Sequence, residues 1–199
     1  MSERAHGHAM PRHYLGAAIW MMGALVSFTL VAIAAREASR TLSVIELMLW
    51  RNAGALAVLL VMVPAVTGSL APFRTDQLGR HVLRNVIHFF AQYAWLTALT
   101  LIPLAQLFAL EFTAPIWVAL LAPLILRERL TPVRLLAAAF GFAGALIVIK
   151  PGGTPLTAGA ISALLSAIGF ALSLILVKQL VRRDSATTIL FYMVFLQTF

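Results

Sequence analysis

Long apolar stretches separated by short polar links fill most of this sequence. Six of them approach or exceed the roughly 20 residues that a helix needs to cross a hydrocarbon core about 30 Å thick. They are Tyr14–Ala34, Ser43–Val66, Val82–Leu101, Pro103–Ile125, Pro132–Ile149 and Thr157–Val181. Another apolar run begins near Thr187 and still continues at Phe199. The pattern predicts an all-α polytopic membrane protein with six transmembrane helices and the start of a seventh.

Composition supports the bilayer as solvent. Of the 199 residues, 61% are hydrophobic and 11% are charged, whereas soluble domains are about 45–50% apolar and about 25% charged. The net charge of +8 does not indicate nucleic acid, because the basic residues lie in short links between apolar stretches. The absence of cysteine excludes disulfides, thiol catalysis and zinc–thiolate sites. The expected partners are therefore lipid and a small-molecule substrate.

The basic residues also predict an orientation. With the N-terminus inside, the cytoplasmic links carry eleven Lys and Arg residues and the outer links carry three. This bias favours a cytoplasmic N-terminal tail, residues 1–13, in a cytoplasmic (inner) membrane. The first apolar stretch follows Arg4 and Arg12 as in a signal peptide, but it is longer than a signal core of 7–15 residues. It is expected to be retained as a helix.

A weak internal repeat appears when the first stretch is laid on the sixth. Gly16 then matches Gly159, Ala24 matches Ala167 and Arg40 matches Arg183. A repeat of five spans is odd, so its second copy must enter the membrane upside down, as in many secondary transporters. The expected organisation is one five-helix repeat at 14–153 and a second that begins at 157–199. Because the chain stops within that second copy, it is expected to be a fragment of a longer protein or a truncated one.

Two charged residues fall inside predicted spans, where an ionised group costs about 2.5–3.5 kcal/mol at the centre. Arg51 and Glu111 each lie about 12 Å below the outer end of their helices at ~1.5 Å per residue. We expect both to face one central cavity, where they either pair or meet a charged substrate. The structural alternatives are an arginine that snorkels to water and a glutamate that serves only as its partner.

Other polar and aromatic residues could line a solute path. His88 and Gln92 are four residues apart and share a face of the third span, and Gln106 opens the fourth. Trp20 on the first span is a weaker candidate. The alternatives are an interfacial histidine for His88 and an interhelical hydrogen bond for Gln92.

Four further residues point to structural roles. Pro115 is expected to interrupt the fourth span and free a backbone carbonyl near the cavity. Gly141 and Ala145 have the spacing of tight helix contacts, within the protein or between two copies in a homodimer. Glu128 lies in a charged cytoplasmic helix end.

Several segments of the sequence form a familiar set, namely Ala105–Pro115, Leu124–Thr131, Gly141–Gly144 and Val148–Gly152, with the segment around Arg51 and the Leu83-Arg84 pair. Together they resemble the EamA domain of the drug/metabolite transporter superfamily. The resemblance implies ten helices in two inverted five-helix repeats, cytoplasmic termini and metabolite transport by alternating access. It also places Arg51, Pro115 and Glu128 at positions where such proteins commonly carry the same residue types.

The sequence therefore predicts a secondary transporter of small metabolites or drugs, without a cofactor or a metal. An intramembrane enzyme is less well supported, because no serine elbow, HExxH motif or metal-binding carboxylate cluster is present. A nontransporting membrane scaffold, or an inactive half that needs a partner, is the remaining alternative.

Overall fold

The computed structural model describes residues 12–127, 131–149 and 157–199, and its regular secondary structure in those ranges is helical. The helices are α1 (Arg12–Ala38), α2 (Val44–Thr67), α3 (Leu78–Leu101), α4 (Leu104–Glu111), α5 (Ala114–Leu126), α6 (Pro132–Ile149), α7 (Ala158–Leu180) and α8 (Ala186–Leu196). A single 3₁₀ turn, Ala71–Phe73, lies between α2 and α3. The expected all-α class is confirmed for this part of the chain.

Hydroxyl side chains fix where three of the helices begin. Ser43 accepts a hydrogen bond from the Glu46 amide at 3.3 Å, and the Glu46 carboxylate accepts one from the Ser43 amide at 2.8 Å. At the starts of α7 and α8, the Thr157 and Ser185 side chains accept hydrogen bonds from the Ala160 and Thr188 amides, without a reciprocal bond. Such caps satisfy amides that have no partner within the helix. Three of the apolar runs therefore begin as helices directly after capping residues that can be recognised in the sequence.

Most predicted boundaries lie within one residue of the observed ones, and four stretches differ. Helix α1 runs from Arg12 to Ala38 rather than from Tyr14 to Ala34. Helix α3 begins at Leu78 rather than Val82, because its first turn is polar and the apolar pattern misses it. The fourth stretch is divided into α4 and α5. The last helix ends at Leu196 rather than continuing to Phe199, where the Gln197 carbonyl accepts a hydrogen bond from Asn52 at 3.4 Å.

Within the described residues, four helical segments are long and apolar enough to cross a membrane. They are Leu15–Ala38, Val44–Thr67, Leu104–Leu126 and Ala158–Leu180. Helix α3 has the length but is not among them, since polar side chains interrupt its apolar surface. Large apolar side chains of α1, such as Ile19 and Val31, are exposed, as expected where a helix faces lipid rather than water.

Helices α3 and α7 form the centre of the packing and run antiparallel. Gly159 at the start of α7 lies against Leu101 and Ile102 at the end of α3, and Gly169 lies against Ala91. A Cβ built on Gly169 would be 2.6 Å from the Ala91 Cβ. The two backbones therefore approach as closely as glycine permits, which is typical of packing between helices in membranes.

The Arg36 side chain anchors α1 to the same end of α3. Its Nε donates to the Leu99 carbonyl at 3.0 Å, and its Nη2 donates to the Leu99 and Ile102 carbonyls. Leu99 lies in the last turn of α3 and Ile102 follows that helix, so both carbonyls lack partners within it. Arg36, Leu101 and Gly159 thus define one end of the bundle, called here the Arg36 end.

A cluster around Asp184 defines the opposite end, called here the Asp184 end. His81 Nε2 lies 2.9 Å from Asp184 Oδ2, and both side chains are buried. Thr75 and Gln77 donate to the same oxygen at 2.8 and 3.1 Å. Burial would raise the pKa of the Asp184 carboxyl, but hydrogen bonds from His81, Thr75 and Gln77 outweigh it and hold the pKa below its ordinary value. The segment before α3 is therefore tied to the α7–α8 link.

Candidate functional site

The interruption expected near Pro115 is present. Helix α4 ends at Glu111 and α5 begins at Ala114, with Pro115 in its first turn. Proline has no N–H, so Pro115 cannot donate to the Glu111 carbonyl four residues earlier. The Thr113 hydroxyl lies in the break and donates a hydrogen bond to the Leu110 carbonyl at 2.6 Å. Broken helices of this kind are tolerated in membranes where they line a cavity or are covered by protein.

A cavity of about 350 Å³ opens at this break, between α1 and the α4–α5 pair. Its walls are mostly apolar and aromatic, and they consist of Leu25, Phe28, Thr29, Phe108, Glu111, Phe112, Ala114 and Pro115. The Phe28 ring lies 5.5 Å from the Trp95 ring and 5.8 Å from the Phe108 ring, centroid to centroid. These are contact distances for aromatic pairs. We call this cavity the Glu111 pocket.

Glu111 is the acidic residue of this pocket, and a buried indole holds it in place. Trp95 Nε1 donates to Glu111 Oε2 at 2.7 Å. A hydrogen bond to a carboxylate is shorter and stronger than one between neutral groups. The indole fixes one carboxylate oxygen, and the side chain lines the cavity, so the pocket offers a hydrogen-bond acceptor among aromatic rings.

The pairing of Arg51 with Glu111, one of the two expected alternatives, is not found. Ion pairs in the described part of the chain join Glu37 with Arg40 and His81 with Asp184. Glu111 instead accepts from Trp95, and Arg51 donates to Asn52 at 3.3 Å. Equal depth in the bilayer does not bring two side chains together when their helices present them in different directions.

Helix α3 carries a polar face that leads away from the pocket. His81, Asn85, His88, Gln92 and Trp95 recur every three or four residues, the spacing of one helix face. His88 Nδ1 lies 3.3 Å from the Ser173 hydroxyl of α7. Gln92 is only 2% exposed, and neither its amide nitrogen nor its amide oxygen has a hydrogen-bond partner. A buried amide without partners is costly, so Gln92 is the polar residue of this face whose hydrogen bonds the described residues leave unmade.

The other predicted site residues lie apart from this pocket. Trp20 is 82% exposed on α1, Arg51 is exposed on α2, and Gln106 is half-buried on α4. A Cβ on Gly141 would lie 3.4 Å from the Phe112 carbonyl oxygen, so α6 passes close to the break. The Ala145 side chain and all of Glu128 fall outside the described residues.

Phe28 and Phe108 line the pocket, although the sequence does not single them out among many apolar residues. The sequence does not single out Trp95 either, and the i, i+3 spacing from Gln92 to Trp95 is the signal that would have joined the indole to the polar face. In residues 12–127, 131–149 and 157–199, no three His, Cys, Asp or Glu side chains cluster in a way that could hold a metal ion.

Comparison with known proteins agrees with this architecture. Residues 15–150 match the EamA-like transporter family over more than half of the chain. This chain belongs to the EamA-like transporter family. The resemblance predicted from the sequence is therefore confirmed, and the membrane-crossing helices are those of a multi-pass membrane protein.

Curated members of the family are similar to most of this chain. A riboflavin transporter of Brucella anthropi is 35% identical over 143 residues, which are 72% of this chain and 50% of that protein. A riboflavin transporter of Vibrio cholerae is 29% identical over 96% of this chain and 64% of that protein. An S-adenosylmethionine uptake transporter of Rickettsia prowazekii is 27% identical over 90% of this chain and 60% of that protein.

The chain thus spans about half to two thirds of the length of these relatives. All three are transporters by name, so the expectation that this EamA-like protein is not an enzyme is confirmed. No solved structure matches the chain at a significant level.

Proposed function

We propose that this chain forms part of a secondary transporter that imports a small metabolite by alternating access. The observation that carries the proposal is the Glu111 pocket. Its broken helix, aromatic wall and held carboxylate lie within a bundle of membrane-crossing helices. Secondary transporters commonly bind substrate where a span is interrupted within the membrane. Import is proposed because one relative is named an uptake transporter.

The proposed helix repeats and membrane orientation rest on the sequence pattern. Residues 14–153 would form the first five-helix repeat, and 157–199 would begin an inverted second repeat of a ten-helix protein. The N-terminus would lie in the cytoplasm and the protein in the inner membrane, as the basic links favour. In this orientation the Arg36 end is the outer end. We also propose that two copies pair through the face that carries Gly141 and Ala145, and that the protein has no nucleic-acid partner.

The proposed substrate carries a flat, nitrogen-containing aromatic ring system. Riboflavin and S-adenosylmethionine, the compounds named for the relatives, both contain such rings. Phe28, Phe108 and Phe112 offer surfaces on which a ring can stack. The Glu111 carboxylate can accept hydrogen bonds from ring N–H groups or hydroxyls while Trp95 holds its other side. A pocket that is mostly apolar with one placed polar group fits this class.

The polar face of α3 is the proposed route from the pocket toward the Asp184 end. Gln92 lies one turn from Trp95, and its amide has both a free donor and a free acceptor. His88 follows, with Ser173 of α7 beside it. We propose that these groups contact the moving solute or the water around it. We further propose that this route passes near Gln106, Trp20 and Arg51.

Uptake in cells expressing the complete gene product tests this proposal. Labelled riboflavin and S-adenosylmethionine would be supplied to a host without its own carriers, with and without a protonophore. We expect saturable uptake of at least one of them. Glu111→Gln should raise KM or lower the maximal rate about 10-fold, since a hydrogen bond to a charged group is worth about 1.5–3 kcal/mol.

Matched controls separate the pocket from general damage. Glu37→Gln removes a carboxylate that is exposed and paired with Arg40, and Phe140→Leu removes an exposed ring of α6. Both should transport normally, whereas Phe108→Leu should impair uptake. No flux of either compound at normal membrane expression would refute the substrate class, and normal flux in Glu111→Gln and Phe108→Leu would refute the pocket.

A further inference from the structure

Two arginines within the bundle are joined by a chain of three amide side chains. Arg51 of α2 donates to Asn52 at 3.3 Å, and Asn52 donates to Gln197 at 3.4 Å. Gln197 donates to Asn85 of α3 at 3.4 Å, and Arg84 donates to the same Asn85 oxygen at 3.2 Å. The chain connects α2, the residue that follows α8, and α3. It is distinct from the Glu111 pocket, because the two share no residue.

Arg84 is the buried member of this chain. It is 7% exposed, and its Nε has no hydrogen-bond partner. Its described bond reaches the neutral Asn85 amide rather than a carboxylate. A buried guanidinium without a counter-charge is strongly unfavourable, so such groups in membranes normally pair or mark a ligand path.

No described carboxylate compensates either arginine. Glu111 is held by Trp95, Asp184 is held by His81, and Glu37 pairs with Arg40. Glu46 is bound within the cap of α2, and Asp76 is exposed beyond the helix ends. Within the ranges that the structure describes, the amide chain therefore carries two positive charges and no negative one.

A cavity of about 200 Å³ adjoins the chain. Asn85 and Gln197 are its polar walls, and Val86, Phe89 and Leu196 are among its apolar ones. The volume suits a small group. Asn85 Nδ2 already donates to the His81 and Tyr192 carbonyls, but Gln197 lines the cavity, and Arg84, which is bound to the Asn85 wall, has an Nε–H without a partner. Guanidinium groups bind carboxylate and phosphate oxygens with particular strength because their N–H groups match the spacing of those oxygens.

We propose that the Arg51–Asn52–Gln197–Asn85–Arg84 chain binds a small anion, a carboxylate or a phosphate, within the membrane. Arg84 supplies the buried charge, and the exposed Arg51 supplies the second charge at the other end of the amide chain. The amides between them hold both guanidinium groups, and Gln197, which lines the cavity, can add one hydrogen bond to the ligand. The site does not depend on the transport proposal, because it predicts anion binding whether or not any compound is carried.

Equilibrium dialysis of the complete gene product in lipid nanodiscs tests the site. The probes are ³²P-labelled inorganic phosphate and ¹⁴C-labelled acetate, first in phosphatidylcholine nanodiscs. We expect saturable binding of one anion per chain. Arg51→Gln and Arg84→Lys should each weaken binding about 10-fold or more, since each removes or misplaces charge-assisted hydrogen bonds. Arg40→Gln, which removes an exposed arginine elsewhere, should bind as the wild type does.

Nanodiscs that also contain phosphatidylglycerol identify the natural source of the anion. Weaker phosphate binding in these discs would assign the site to a lipid headgroup, and unchanged binding would assign it to a soluble anion. Arg51 is exposed, so Arg51→Gln keeps the test decisive if Arg84→Lys does not fold. Absence of saturable binding in phosphatidylcholine, or wild-type affinity in Arg51→Gln, would overturn the proposal.

Discussion

The contact between Gly169 and Ala91 makes a sharp prediction about stability. Replacing Gly169 with alanine would place a Cβ 2.6 Å from the Ala91 Cβ and 3.3 Å from the Ala91 Cα. Carbon atoms in ordinary contact are about 3.5–4.0 Å apart, so α3 and α7 would have to separate by about 1 Å. Overpacking of this kind costs about 1–3 kcal/mol, which exceeds the gain of up to about 1 kcal/mol from alanine's helix propensity.

Thermal unfolding in detergent, followed by tryptophan fluorescence, measures this effect. Gly169→Ala should lower the unfolding midpoint of the complete gene product. Gly23→Ala is the matched control, since nothing lies within 4 Å of a Cβ there, and it should be neutral or slightly stabilising. Ala91→Gly added to Gly169→Ala should recover most of the loss, because it removes the nearest atom.

The double variant makes the test specific to one contact. If Gly169→Ala unfolded at the wild-type temperature, the close approach of α3 and α7 would be wrong. If the unfolding midpoint of the double variant fell by the sum of the two single decreases, the two residues would not be in contact. Non-additive behaviour is expected only for residues in contact.

Three further predictions address single interactions. Trp95→Phe keeps a ring beside Phe28 but removes the donor to Glu111, so it should weaken uptake about as much as Glu111→Gln, and the double variant should be no worse than either. Arg36→Met removes the donors to the α3 carbonyls, so it should lower the unfolding temperature, whereas Arg40→Met should not. Asp184→Asn should destabilise at neutral pH; because the folded pKa lies below its ordinary value of 3.8, this difference should persist above that pH and disappear as the pH falls through the folded pKa.

Much of the helix layout could be predicted because apolar length is a direct requirement of the bilayer. Ser43, Thr157 and Ser185 stand at the observed helix starts, and Pro115 lies just after the observed break. These are local signals, each readable within a few residues. The first turn of α3 could not be predicted in this way, because its residues are polar and do not continue the apolar pattern.

The arrangement of the site depends on the direction in which each side chain leaves its helix, and the sequence alone does not specify that direction. Counting residues gave Arg51 and Glu111 the same depth, but depth leaves rotation about each helix undetermined. The partner of Glu111 is an indole that lies 16 residues earlier in the chain, and Asn52 meets a residue 145 positions later. Such pairs follow from how the helices pack. The spacing along α3 was the one long-range clue available, because a polar face on a membrane helix must be covered.

That polar face has a consequence for how the protein is made. Helix α3 is complete at Leu101, but α7, which covers much of it, begins only at Ala158. During synthesis α3 must therefore enter the membrane or wait beside the translocon while Asn85, His88 and Gln92 are not yet covered by other helices. We expect this helix to insert poorly alone, so that substitutions at its buried polar positions affect the yield of inserted protein as well as its activity.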